Sequence, residues 1–117
     1  MSAPLFNLEI DQGATFRKGF VFKNHLKKPY DWTGYGAHMQ IRDKAGNLIA
    51  DLSSQNGKII MNAVPGGVDI YINALETAAM TFTDKAYYDL YLIAPNGDYI
   101  RKLQGAVTLS KGQTRNA

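Results

Sequence analysis

Alternation with a period of two dominates this chain. Tyr35, Ala37, Met39 and Ile41 set apolar groups on one side, with Gly36, His38, Gln40 and Arg42 on the other, the pattern of a half-buried strand. The same alternation recurs for Val68, Ile70 and Ile72 against Asp69, Tyr71 and Asn73. It appears again for Tyr88, Leu90 and Leu92 against Asp89, Tyr91 and Ile93, and for Leu103, Val107 and Leu109 against Lys102, Gln104 and Thr108. Turn formers lie between the runs: Ala45-Gly46-Asn47, Asn56-Gly57, Pro65-Gly66-Gly67 and Pro95-Asn96-Gly97-Asp98. Asn96-Gly97, flanked by two alternating runs, is the strongest hairpin signal. Strands are predicted at 5–11, 14–23, 35–43, 48–52, 58–62, 67–73, 86–94 and 99–110.

One stretch breaks the alternation. Residues 73–80 are mostly good helix formers; Asn73 is placed to cap them, with Glu76 three residues later placed to reach back. Two turns of helix near 74–80 are predicted, with Leu75, Ala79 and Met80 closing one end of a sheet pair. Many short strands with one apolar and one polar face give an all-β, Ig-like antiparallel β-sandwich of seven or eight strands, with a barrel as the alternative. Tyr88, entering a late strand just after a corner, resembles the tyrosine whose hydroxyl bonds back to the backbone in such sandwiches; the alternative is an ordinary core aromatic.

Composition narrows the picture. The 117 residues, 45% apolar and 20% charged, make one domain over 1–117, with short flexible ends expected at about 1–4 and 112–117. No cysteine is present, which excludes disulfides, thiol nucleophiles and thiolate metal sites. Thirteen Lys and Arg against ten Asp and Glu give a net charge of +3, permitting nucleic acid without implying it. Met1 to Phe6 do not read as a secretory signal, and no window is as long and apolar as a membrane span.

Candidate chemistry is sparse. His25 sits in a polar loop and His38 on the outward face of a strand, neither at a diagnostic spacing from other ligands, so no metal and no cofactor is expected. Ser53, Ser54 and Ser110 lie in no nucleophile turn, and Gly34-Tyr35-Gly36 precedes a strand where a phosphate loop opens a helix. Asp43, Asp51 and Asp69 offer only the pairings that ten scattered acids always offer. The chain is therefore read as not an enzyme, with no catalytic residues. Phe16, Phe20 and Phe22 share a parity with Lys18 and read as core, so no nucleic-acid surface is expected. Four aromatics remain as interface candidates: Tyr71, Tyr87 and Tyr91, which alternation turns outward, and Trp32, on a turn before a strand. For Trp32 the competing reading is a plug at the open end of the sandwich.

Four blocks together carry a family resemblance. They are Ile10 to Phe16, Asp31 to Arg42, Tyr88 to Gly97 and Arg101 to Ser110. Over about Leu8 to Arg115 the chain resembles small structural proteins of tailed bacteriophages, Ig-like β-sandwich domains similar to the N-terminal domain of the lactococcal-type baseplate upper protein. The distinctive parts are Thr33-Gly34-Tyr35 with Met39-Gln40-Ile41-Arg42, and the closing Gly105, Val107, Leu109 and Ser110. Trp32, Lys102 and Gln104 depart from the pattern, where leucine, leucine and glutamate are usual. The resemblance implies a non-catalytic virion protein, made in the host bacterial cytoplasm. Its partners would be other virion proteins and further copies of itself, with neither nucleic acid nor membrane. No receptor-binding extension follows the last strand, so an adaptor, collar, baseplate or decoration role is expected. The alternative is a small soluble module that binds a carbohydrate or a host factor.

Overall fold

The computed structural model describes residues 3–111. Eight strands and one helix follow in the order β1 (Leu8–Asp11), β2 (Phe16–Val21), β3 (Gly36–Asp43), β4 (Leu48–Ser53), β5 (Ile59–Met61), β6 (Gly67–Ile72), α1 (Ala74–Ala78), β7 (Ala86–Ile93) and β8 (Tyr99–Ser110). They form a five-stranded sheet ordered β1-β8-β7-β3-β4 and a three-stranded sheet ordered β2-β6-β5. This is the immunoglobulin arrangement: β8, β7 and β3 take the places of G, F and C with β4 added beyond, and β2, β6 and β5 those of B, E and D. The two inner faces supply one core, in which Ile10, Met39, Ile41, Leu52, Val68, Ile70, Ile72, Leu90, Leu92 and Val107 are fully buried. The parity that alternation assigns to the inner residues of β3, β6 and β7 is the parity observed.

One ladder differs from the expected antiparallel pattern. β1 runs parallel to β8, from Leu8↔Val107 to Asp11↔Ser110. Period two tells which side chains face inward but not which neighbour a strand takes or in which direction. β1 is also shorter than expected, because the Asn7 side chain occupies a ladder position: its Oδ1 accepts from the Ala106 N–H at 3.0 Å. Ahead of it, the carbonyl of Ala3 accepts from Gln104 Nε2 at 3.0 Å and that of Pro4 from the Gln104 N–H at 3.1 Å. The part of the expected loose end formed by Ala3 and Pro4 is thus tied to β8. Residues 1–2 and 112–117 lie outside the described residues.

α1 starts where the sequence places it, with Asn73 Oδ1 accepting from the Glu76 N–H at 2.8 Å. Its packing differs from expectation. Leu75 is 78% exposed and Thr77 takes an inward position in its stead, while Met80 is buried as expected. The Thr77 hydroxyl donates to the Ala14 carbonyl at 2.8 Å and accepts from the Gly13 N–H at 3.0 Å, satisfying a buried polar group by tying the helix to the β1–β2 turn. Glu76 does not reach back to the cap; its carboxylate pairs with Lys58.

Candidate interaction surfaces

The outer face of the five-stranded sheet is built by the outward parity of β3, β7 and β8. Across β3 and β7 the partners are Arg42↔Tyr87, Gln40↔Asp89, His38↔Tyr91 and Gly36↔Ile93. Across β7 and β8 they are Tyr87↔Ala106, Asp89↔Gln104, Tyr91↔Arg101 and Ile93↔Tyr99. Tyr87, Tyr91, Ile93 and Tyr99 therefore form an aromatic and apolar band along the middle of this face, interrupted by Asp89 between Tyr87 and Tyr91. Tyr87 is 46% and Tyr99 62% exposed.

Paired polar groups fix the band on both sides. The Tyr91 hydroxyl accepts from Arg101 Nε at 3.2 Å and Nη2 at 3.0 Å, and this contact holds the guanidinium above its ordinary pKa. Asp89 lies 3.8 Å from Arg101 Nε, and the Tyr99 ring is centred 6.2 Å from that of Tyr91. On the β4 side, His38 Nε2 and Asp51 Oδ1 are 2.6 Å apart, and the hydrogen bond from His38 is the main reason the Asp51 carboxyl sits below its usual pKa. Arg42 donates to Gln40 Oε1 at 2.8 Å and to the Gly46 carbonyl at 2.9 Å. A shallow depression lined by Asn7, Gln40, Tyr87, Asp89, Gln104 and Ala106 opens beside the band.

The four sequence candidates do not share a surface. Tyr87 and Tyr91 lie on this face, whereas Tyr71 is on β6, on the outer face of the other sheet, with the Arg17 guanidinium 4.9 Å from its ring centre. Of the two readings of Trp32 the interface one is corrected and the plug one is observed: it is 4% exposed, and its indole N–H donates to the Gly66 carbonyl at 3.0 Å. Tyr30 stacks on it at 5.0 Å, and Tyr35 and Phe22 meet it edge-on at 5.0 and 6.1 Å, so it closes one end of the core. A loop position offers no periodicity, which is why the sequence leaves the plug and the interface readings side by side.

Two surface residues lie where alternation gives no sign of their role. Tyr99 becomes visible as a surface partner only once the Asn96-Gly97 hairpin is folded, which brings it opposite Ile93. Alternation turns Lys102 outward, but the register of β7 and β8 slips between Leu90 and Tyr91, and β8 places an extra residue there. Its ammonium is carried over the rings of Tyr30 and Trp32, 5.0 and 5.7 Å from their centres.

Among the described residues no group of three or more His, Asp and Glu is arranged to hold a metal ion, and no helix is long and apolar enough to cross a membrane. No family model matches the sequence, and no curated protein matches it. Among solved structures the chain is similar to CopC from Methylosinus trichosporium OB3b. The superposition covers 93% of this chain and 90% of that one, with a TM-score of 0.50 and 11% identity. At that identity the likeness is one of fold, and the shared fold is a β-sandwich.

Proposed function

We propose that this chain is a non-catalytic structural protein of a tailed-bacteriophage particle, an adaptor or decoration of the tail, baseplate, collar or head–tail region, and that it works through protein–protein contact. The observation that carries the contact reading is the band of Tyr87, Tyr91, Ile93 and Tyr99 on the outer face of the five-stranded sheet. Tyr91 held by Arg101, with Tyr87 and Tyr99 exposed on the same face and paired polar groups alongside, resembles the centre and rim of a protein interface. The phage assignment rests on the sequence blocks, since a sandwich by itself prescribes no function.

The alternative, a carbohydrate-binding module, asks for coplanar rings free to stack on a sugar. Burial of Trp32 and the placement of Tyr71 on the other sheet take away two of the four rings that reading relies on. Mass spectrometry of particles purified from the phage and host whose genome encodes the chain tests the proposal. The chain is expected in stoichiometric amounts. Abundance in the infected-cell lysate with absence from the particles would replace the structural role with a host-factor-binding one.

A further inference from the structure

Charge along this chain is unevenly placed. From Gln12 to Tyr30 there are five cations, Arg17, Lys18, Lys23, Lys27 and Lys28, and no acid, while the remaining residues carry eight cations against ten acids. The net positive charge therefore comes from β2 and the loop that follows it. Immediately before it, β1 carries Glu9 and Asp11, both exposed.

β1 and β2 are edge strands, each with a single neighbour among the described residues, β8 and β6 respectively. They edge the same side of the sandwich: they are consecutive, joined by a turn in which the Ala14 N–H donates to the Asp11 carbonyl, and bridged by the Phe6 ring, which meets Phe20 edge-on at 5.3 Å. The turn reverses the chain, so the two strands run in opposite senses. The β2 register is continuous over six pairs, from Phe16↔Ile72 to Val21↔Gly67, which leaves a regular outer edge. On the far side of the sandwich β5 has only three residues, and β4 pairs with β3 through a register irregularity, two devices that blunt an edge.

Neither Glu9 nor Asp11 forms an ion pair with another described residue, and the same holds for Arg17, Lys18 and Lys23. Lys18 and Arg17 rest over aromatic rings of their own chain. Pairing of β2 with another β2 would set cation against cation, which like-charge repulsion opposes. Rotation about a two-fold axis parallel to the strands exchanges the two sheets. It thereby sets each β1 beside the partner's β2, antiparallel, acid against base.

We propose that two copies associate side by side in this way, the acidic β1 edge of each adding to the basic β2 edge of the other and joining their sheets. Self-complementarity of this kind is what a closed two-fold interface requires, and main-chain ladder bonds would supply the affinity while the charges fix partner and direction. The inference deepens the assembly reading and rests on it for its role in a particle.

Sedimentation velocity of the full chain over a range of concentration and salt provides the test, with Trp32 fluorescence reporting the fold. A dimer is expected that weakens as salt screens the edges. Glu9→Lys with Asp11→Lys makes both edges basic, and Arg17→Glu with Lys18→Glu makes both acidic. Each variant alone is expected to be a folded monomer, and an equimolar mixture of the two is expected to restore a dimer. A wild-type chain that stays monomeric, a dimer indifferent to both reversals, or a mixture that remains monomeric would each overturn the proposal. A monomer in solution that is nevertheless found in purified particles overturns the edge pairing alone; absence from particles overturns the virion role alone.

Discussion

The hydroxyl of Tyr88 donates to the carbonyl of Phe6 at 2.6 Å, joining the middle of β7 to the segment ahead of β1 across 82 residues of sequence. The corner tyrosine suggested by the sequence has its backbone partner, but on the first strand's approach instead of the neighbouring corner. Tyr88→Phe leaves that carbonyl without its donor and is expected to lower stability by about 1 kcal/mol, read from urea unfolding.

The same contact makes a pH prediction. Burial pushes the Tyr88 hydroxyl from an ordinary value of 10.0 up to about 12. The folded state thus holds a proton that the unfolded chain gives up first. This contribution to stability is complete below about pH 10 and is lost as pH rises toward about 12. The stability difference between wild type and Tyr88→Phe should therefore be constant up to about pH 10 and shrink between about pH 10 and about pH 12.

Gly105, opposite Tyr88 in the β7–β8 ladder, lies under the same segment. A Cβ built there would fall 2.1 Å from the Phe6 carbonyl oxygen, a backbone atom that no rotamer change can move aside. Gly105→Ala is expected to push residues 4–7 off β8 and to cost about 1–3 kcal/mol, the range for overfilled sites. Hydrogen exchange at Phe6 and Gln104, whose N–H groups donate across this junction, should accelerate with it.

Leu90 is fully buried on β7. Leu90→Asp places an unpaired carboxylate in the core, a cost of several kcal/mol against a total stability of about 5–15 kcal/mol. Circular dichroism of the variant at 25 °C, a temperature at which native domains are ordinarily folded, is expected to show an unfolded chain.

Tyr87→Ala with Tyr91→Ala removes the centre of the aromatic band while leaving every core side chain in place. The purified variant is expected to keep a wild-type spectrum and a stability within about 1 kcal/mol of wild type, since Tyr87 is exposed and half-buried Tyr91 gives up only surface contacts, that with Arg101 among them. Under the proposed virion role, its incorporation into particles, measured by competition with the wild-type chain, should fall. Equal incorporation would remove this face from the assembly.

The strands with a strict alternation were legible because burial of one face leaves its record in every second residue. That is why the inner residues of β3, β6 and β7 emerge from sequence alone, and why Tyr87 and Tyr91 were correctly turned outward. Tyr71 obeys the same rule, yet period two does not say which sheet a strand joins, so its separation from the other tyrosines was invisible. Lys102 lies at a bulge and Trp32 in a loop, the two places where alternation carries no information, so the first escaped and the second was left between a plug and an interface residue. The β1–β8 ladder likewise depends on closure between the two ends of the chain, to which no local pattern responds.

That closure has a mechanical side. Because β1 and β8 lie parallel, traction on the start of β1 and the finish of β8 drags the two past each other lengthwise. The bonds between Leu8↔Val107 and Asp11↔Ser110 are then strained together instead of being peeled open in turn. Forced unfolding is a matter of barrier height, and this geometry sets a high one against stretching. In the particle proposed above, such wiring would suit a location where neighbours tug on the chain.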